Sequence, residues 1–162
     1  MRNITILLIS LLISTSLMAA GSDSSSSSSS EKSLYEEAVQ LVKRAGNLEK
    51  KGKTEKAKKH YTQAFGKLEK ALKSDKKNPD ILNYMGYTSR KVGNFDQAEK
   101  FYLKGLNIKP NHNGINEYLG ELYVQTNRID KANERLKVLK SCNCKEYGEL
   151  ELIIKTRGSK VY

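Results

Sequence analysis

The feature that most constrains this chain is a pattern of small and apolar residues that recurs after 34 positions. The stretch from 79 to 110 reads PDILNYMGYTSRKVGNFDQAEKFYLKGLNIKP and predicts two helices separated by a turn at Gly93 and Asn94. Pro110 ends the second helix, because a proline ring fits badly inside a helix. Neither helix can bury its apolar face within a single hairpin, so the hairpin needs similar hairpins on both sides.

One face of each predicted helix carries the residues that we expect to be buried. They are Leu82, Met85, Gly86 and Ser89 on the first helix, and Phe95, Ala98, Tyr102, Gly105 and Leu106 on the second. The small residues Gly86 and Ala98 should let the two helix axes come close together. Tyr102 should then fill the space beside them.

Copies of this hairpin lie on both sides of it in the sequence. The following copy repeats the pattern 34 residues later, at Leu119, Gly120, Ile129 and Ala132. The preceding copy is displaced by 41 residues and matches at Gly52, Ala57 and Tyr61. Since two turns of α-helix take about 7.2 residues, the seven extra residues lengthen a helix and keep the same face inward.

The helical period therefore predicts an all-α domain over residues 33–157. Ser33 and Glu36 form a predicted capping box at the start of the first helix, and Asn143 and Glu146 form another before the last helix. The first predicted helix ends near Lys51 and the second ends near Ser74. The remaining five are predicted over residues 80–92, 95–108, 114–126, 129–141 and 144–157.

The hairpin pattern resembles the tetratricopeptide repeat (TPR) family. The matching residues in the central copy are Leu82, Gly86, Gly93, Phe95, Ala98, Tyr102 and Pro110. The resemblance implies a right-handed solenoid of about three repeats, over 38–78, 79–112 and 113–142, with a capping helix at 144–157. It also implies a concave groove lined by the first helix of each pair, which in this family usually binds a peptide or partner helix.

Carrying the family's groove positions onto this sequence gives a set of expected partner-binding residues. They are Asn83, Tyr87, Arg90, Lys91, Glu117 and Glu121, with Val39, Val42, Val124 and Gln125 at flanking positions. Asn83 can both donate and accept hydrogen bonds, and Arg90 can bind a carboxylate through two nitrogens. The alternative is that these are ordinary helix residues, with Arg90 and Glu121 paired to each other. If the groove binds a partner, replacing Tyr87 and Arg90 by Ala should weaken capture without unfolding the domain.

The N-terminal part of the chain has the composition of an export signal. Arg2 precedes an apolar run from Ile4 to Met18, and small residues follow it, so residues 1–21 are predicted to be a signal peptide. A retained membrane anchor is the alternative. Residues 22–32, which are mostly serine, are predicted to be a disordered leader, and residues 158–162 a short tail. We expect an exported protein, periplasmic in a Gram-negative cell and otherwise secreted or at the cell surface.

The residues with the most reactive side chains do not form a catalytic pattern. Cys142 and Cys144 could form a disulfide, a redox-active pair, or two reduced thiols in the core. His60 and His112 are irregularly spaced from them and are expected on polar surface, so no metal site or other cofactor is predicted. Neither a nucleophile elbow nor a phosphate-binding loop is present in the sequence, and we expect no enzymatic activity.

The function predicted from these patterns is a scaffold of the cell envelope that binds a protein or peptide in its groove. One alternative is a basic protein whose net charge of +11 attaches it peripherally to anionic lipid or cell-wall polymer of the envelope. Another is a thiol–disulfide protein that uses the Cys142–Cys144 pair. Nucleic acid is not expected as a partner, because an exported protein seldom meets it.

Overall fold

The computed structural model describes residues 25–158, with side chains from Ser33 onward. Within this range the chain forms seven helices and no strand, which confirms the predicted all-α fold. The helices are α1 (Ser25–Lys50), α2 (Thr54–Ser74), α3 (Pro79–Lys91), α4 (Phe95–Ile108), α5 (Asn113–Gln125), α6 (Ile129–Leu139) and α7 (Lys145–Lys155).

The helices pair into three hairpins that stack in chain order. α1 packs on α2, α3 on α4 and α5 on α6, while α2 contacts α3 and α4 contacts α5 between neighbouring hairpins. α7 packs against α5 and α6 at the end of the stack. The result is the predicted solenoid of three helical hairpins with a C-terminal helix that covers the last one.

The turn within each hairpin has the same backbone geometry. The residue in the left-handed region is Gly52 in the first hairpin and Gly93 in the second, with φ of 70° and 92°. In the third hairpin Asn127 takes this place with φ of 57°, because asparagine tolerates this conformation better than most residues. The next amide in each turn donates to a carbonyl five residues back, over 2.9, 2.9 and 2.7 Å for Lys53, Asn94 and Arg128.

The close approach predicted between α3 and α4 is present. A Cβ atom added at Gly86 would overlap the ring of Tyr102, which is fully buried. Gly120 is the counterpart of Gly86 in the third hairpin, and a Cβ there would lie 2.5 Å from the Leu150 side chain of α7. The repeated glycine therefore serves hairpin packing in one copy and the docking of α7 in the next.

The start of the first helix differs from the prediction. α1 begins at Ser25 and not at Ser33, so it continues into the range predicted as a disordered leader. Extending an existing helix costs much less free energy than starting one, and serine is only moderately unfavourable in a helix. Ser33 therefore does not cap the helix with Glu36, and its hydroxyl donates instead to Glu37 Oε1 over 3.3 Å.

The start of the last helix and one apolar position also differ. The residue before α7 is Cys144, which makes no side-chain capping bond, and Asn143 lies in the left-handed region with φ of 49°. The capping box of Asn143 and Glu146 is thus wrong. Phe95 was expected to be buried but is 38% exposed, because it is the first residue of α4 and lies beside the turn.

The predicted signal peptide at residues 1–21 lies outside the described residues, as do residues 22–24 and most of the predicted tail. In the part of the chain that is described, no helix is both long and apolar enough to cross a membrane.

Candidate functional site: a charged cleft along the first helices

A cleft of about 990 Å³ lies between α1, α3, α5 and α7. It brings together five of the six predicted binding residues and one predicted flanking residue: Tyr87, Arg90, Lys91, Glu117, Glu121 and Val42. These side chains meet because α1, α3 and α5 are the first helices of the three hairpins and follow one another across the stack. The sixth predicted residue, Asn83, lines a second cavity of about 430 Å³ that shares Glu117, Tyr118 and Lys145 with the cleft.

The other flanking positions carried over from the family do not line the cleft. Val39 is half-buried but contacts neither cavity, and Val124 is buried in the core formed by α4, α5, α6 and α7. Gln125 is exposed at the end of α5. The predicted set was too wide, because small rotations of a helix decide which of two adjacent positions faces a neighbour.

The floor of the cleft contains a buried ion pair. Arg90 Nη2 lies 2.6 Å from Glu121 Oε2, and the two side chains are 1% and 7% exposed. Burial raises the pKa of Glu121, and the attraction of Arg90 offsets part of that rise. The pair links α3 to α5, so the alternative in which Arg90 and Glu121 bind each other is the arrangement found.

A second charged group joins the first hairpin to α3. Lys91 Nζ lies 2.7 Å from Glu49 Oε2, and the hydroxyl of Tyr61 donates to the same oxygen over 2.9 Å. The Lys91 ammonium also lies 5.8 Å from the centre of the Tyr61 ring. Lys91 is therefore held at one side of the cleft by contacts within the protein.

Aromatic rings form the apolar part of the cleft. The rings of Tyr87 and Tyr118 are 4.9 Å apart, and the Arg90 guanidinium lies 5.5 and 5.8 Å from their centres. A cation near the face of an aromatic ring is attracted to it, so these contacts fix the rings as well as the arginine. The cleft thus offers two tyrosines in defined positions beside a fixed charge.

A carboxyl pair lies where the cleft meets α7. Burial, a hydrogen bond with Glu149, and the charges of Glu121 and Glu149 together raise the pKa of Glu117 to about 9. Glu117 is only 4% exposed. On the solvent side, Lys145 Nζ lies 3.4 Å from Glu149 Oε2, and this carboxylate raises the pKa of Lys145. The raised pKa favours the protonated form of the Glu117 carboxyl, which can donate a hydrogen bond.

The second cavity is built around the start of α5. His112 precedes the helix, and its Nδ1 accepts from the Ile115 amide over 3.2 Å while its Nε2 lies 3.0 Å from Asp80 Oδ1. The side-chain amide of Asn83 lies against Gly114, where an added Cβ would be 3.0 Å from its nitrogen. The absence of a side chain at Gly114 therefore makes room for Asn83 inside the wall of this cavity.

Several residues of the cleft were missed by the sequence prediction. Tyr118, Lys145 and Glu149 line it, and two of these belong to α7, which the repeat pattern treats only as a cap. The sequence signal that could have identified the α7 residues was the oppositely charged pair at positions 145 and 149, which lie one helical turn apart. Its position beside the cleft depends on how α7 docks onto Gly120, which the repeat does not specify.

The cysteines and histidines form no metal site. Cys142 and Cys144 are joined by a disulfide in the turn before α7, and both are half-buried. His112 is buried as a helix cap and His60 is half-buried, so the expectation of two surface histidines was wrong for His112. Among the described residues, no group of three or more metal-binding side chains comes together.

Residues 67–100 match the tetratricopeptide repeat family model. The fold is a tetratricopeptide-repeat solenoid. Over 71 residues the chain is 31% identical to human protein O-mannosyl-transferase TMTC3, a match that covers 44% of this chain and 8% of that protein. The chain therefore spans less than a tenth of the length of this curated relative.

Two solved structures of a Yersinia enterocolitica protein share the architecture. The type III secretion translocator chaperone SycD, in an alternative dimer, aligns with a TM-score of 0.54 and 18% identity over 76% of this chain and 89% of SycD. SycD in complex with a peptide of the translocator YopD aligns with a TM-score of 0.52 and 19% identity, over 74% and 87% of the two chains. At this level of identity the similarity establishes the fold.

Proposed function

We propose that this protein is a non-catalytic scaffold that binds a protein or peptide segment in the cleft between α1, α3, α5 and α7. The observation that carries the proposal is the cleft itself. Its volume is about 990 Å³, and all three hairpins together with α7 contribute to its lining. Ligand sites in proteins are usually concave and largely pre-formed, and this cleft is concave and held in shape by contacts within the protein.

The side chains of the cleft are better suited to binding a peptide than to catalysing a reaction. Its inner charges are already neutralised in pairs, Arg90 with Glu121 and Lys91 with Glu49. Groups held in this way provide rigid walls, and Tyr87 can give a ligand apolar contact with its ring face and a hydrogen bond with its hydroxyl. An extended segment would gain most of its binding free energy from these few rigid groups.

The comparison with SycD supports a peptide as the class of ligand. SycD has been solved with a peptide of the translocator YopD, and its hairpin stack aligns with most of this chain. We extend to this protein the general idea that such a stack binds a segment of another protein. Which segment binds is decided by the side chains that line the cleft of this protein.

We also propose that the protein acts outside the cytoplasm. The basis is the signal-like sequence at residues 1–21, in which a positive residue precedes an apolar run and small residues follow it. In a Gram-negative cell we expect the scaffold in the periplasm, in peripheral association with the envelope. N-terminal sequencing of the mature protein from a fractionated cell is the test, and an uncleaved protein in the cytosol would contradict the proposal.

The cleft can be blocked without disturbing the core. Gly46 lines the cleft from α1, and a Cβ added there would have no contact closer than 4.0 Å, to the Tyr61 hydroxyl. We expect Gly46→Gln to fill the cleft and to abolish capture of the partner. Gly66→Gln is the matched control, because Gly66 is also helical, has open space around it and does not line the cleft. Each change should stabilise its helix by about 0.5–1 kcal/mol.

The measurement is affinity capture from a cell extract, followed by mass spectrometry and by titration of peptides from the captured protein. A partner that binds the wild type and Gly66→Gln but not Gly46→Gln supports the proposal. Equal capture by all three proteins would contradict it. Gly46→Gln is a sharper test than replacing Arg90 by Ala, because removal of Arg90 would leave the Glu121 carboxylate buried without its partner.

The basic surface gives a second candidate function. Exposed lysines lie along α2, on the side of the hairpin away from the cleft, at Lys56, Lys58, Lys59, Lys70 and Lys73. This arrangement favours association with anionic lipid or cell-wall polymer. Such association should collapse at high ionic strength and should be the same for Gly46→Gln and Gly66→Gln, whereas capture in the cleft should depend on Gly46 and persist in salt.

A further inference from the structure

The second cavity contains a polar atom that the protein leaves without a partner. Asn83 is 7% exposed, and its Oδ1 atom is buried with no hydrogen-bond partner among the described residues. Asn83 lines this cavity of about 430 Å³ together with Gly114. A buried acceptor without a donor costs free energy, and a ligand that donates a hydrogen bond would recover it.

Three tyrosines surround the same cavity. Tyr35 from α1, Tyr84 from α3 and Tyr118 from α5 all line it. The rings of Tyr35 and Tyr84 meet edge to face with centres 5.8 Å apart. Aromatic faces attract cations, most strongly where several rings share one site and water is partly excluded.

The charges around the cavity favour a positive ligand. Asp80 and Glu146 supply carboxylates and Glu117 a carboxyl favoured in its uncharged form, while Lys145 is paired with Glu149 over 3.4 Å and Lys109 is exposed at the rim. His112 also lines the cavity. Its Nδ1 accepts a hydrogen bond from a backbone amide, so the proton is on Nε2 and the ring is neutral in this arrangement.

We propose that the second cavity binds a cationic side chain of the partner, a lysine or an arginine, between Asn83, the three tyrosines and the carboxylate of Asp80. Asn83 Oδ1 accepts a hydrogen bond from the cation, and the rings cover its alkyl stem. This inference rests on the proposed function, because the cavity opens beside the cleft that would hold the rest of the segment. It adds a preference for a lysine or an arginine in the bound segment, which the fold alone does not supply.

The test uses two capped tripeptides as probes, acetyl-Ala-Lys-Ala-amide and acetyl-Ala-norleucine-Ala-amide. They share the alkyl chain and differ in the terminal ammonium group. Each is titrated into the ¹⁵N-labelled protein while the side-chain amide signals of Asn83 and the backbone signals near Tyr118 are followed. We expect saturable shifts with the lysine probe, with a dissociation constant on the order of 1 mM, and at least tenfold weaker binding of the norleucine probe. Equal binding of both probes, or no saturable shift with lysine, would overturn the inference.

Variants locate the site. Asn83→Ala and Tyr84→Leu should each weaken lysine-probe binding by about threefold to tenfold, which corresponds to about 0.7–1.4 kcal/mol, since both residues line the second cavity and neither is shared with the cleft. Asn47→Ala is the control, because Asn47 is exposed and lines the cleft but not the second cavity. If Asn83→Ala does not fold, Tyr84→Leu alone decides. Unchanged lysine binding in the folded variants would overturn the inference.

Failure of this inference can be distinguished from failure of the proposed function. Gly46→Gln blocks the cleft but leaves the second cavity open, so it should retain lysine-probe binding. A protein that captures its partner through the cleft but ignores the lysine probe would contradict the cation site alone. A protein that binds the lysine probe at Asn83 but captures the same partners with and without Gly46→Gln would contradict the cleft proposal alone.

Discussion

The buried ion pair at the floor of the cleft should make single substitutions far more costly than a double one. Arg90 Nη2 and Glu121 Oε2 are 2.6 Å apart, and both side chains are almost fully removed from water. Arg90→Met would leave the Glu121 carboxylate buried without its partner, and Glu121→Leu would do the same to the guanidinium. We expect each change to lower the free energy of unfolding by about 3–5 kcal/mol.

The double variant should recover most of this loss. The Nε and Nη1 atoms of Arg90 are buried without a hydrogen-bond partner among the described residues, so the guanidinium is only partly compensated for its lost hydration. Replacing both members removes both desolvation costs. We therefore expect the double variant to lie within about 1 kcal/mol of the wild type or to be more stable than it.

The assay is urea unfolding followed by far-ultraviolet circular dichroism, with the two single variants and the double variant forming a cycle. These values imply a coupling energy of at least about 5 kcal/mol, with similar denaturant slopes for all four proteins. If the effects of the single variants add in the double variant, or if each costs less than about 1 kcal/mol, our account of the pair as buried and mutually dependent is wrong.

Two further predictions concern packing and pH. Gly86→Ala should destabilise the domain by about 1–3 kcal/mol in urea unfolding, because the new Cβ would overlap the buried Tyr102 ring, whereas Gly66→Ala should stabilise it; equal effects would contradict the close packing. Glu117 has its pKa raised from 4.5 to about 9, so its contribution to stability is complete below about pH 4.5 and is lost progressively as the pH rises from there to about 9. Glu117→Gln should therefore gain stability over the wild type between pH 5 and 8, on the order of 1–3 kcal/mol in thermal or urea unfolding, and parallel pH profiles would contradict the raised pKa.

The residues that repeat could be predicted, and those that depend on docking between helices could not. The spacing of Gly52, Gly93 and Tyr102 was enough to place the turns and the contact between α3 and α4. The groove positions on α3 were carried over from the family resemblance, and three of them, Tyr87, Arg90 and Lys91, line the cleft. Val39 and Val124 were placed in the groove by analogy, because a helical period does not say how far each helix is rotated.

Capping predictions failed for a related reason. A capping box is a local pattern, and Ser33 with Glu36 satisfies it, but the helix continues through Ser33 to Ser25. Local sequence identifies residues that are able to cap the start of a helix. Whether it does start there depends on the free energy of extending the helix further, which competes with the cap.

The sequence by itself determined that this protein is helical, that it repeats, and that its first two hairpins turn at glycines, which adopt positive φ readily. These properties depend on interactions between residues that are close along the chain or one repeat apart, so they can be recognised in the order of the residues. The tertiary structure alone decided that Arg90 pairs with Glu121, that α7 brings Glu149 to Glu117, and that Asn83 Oδ1 is left without a donor. These depend on distances of a few ångströms between helices, which are fixed only when all the hairpins pack together.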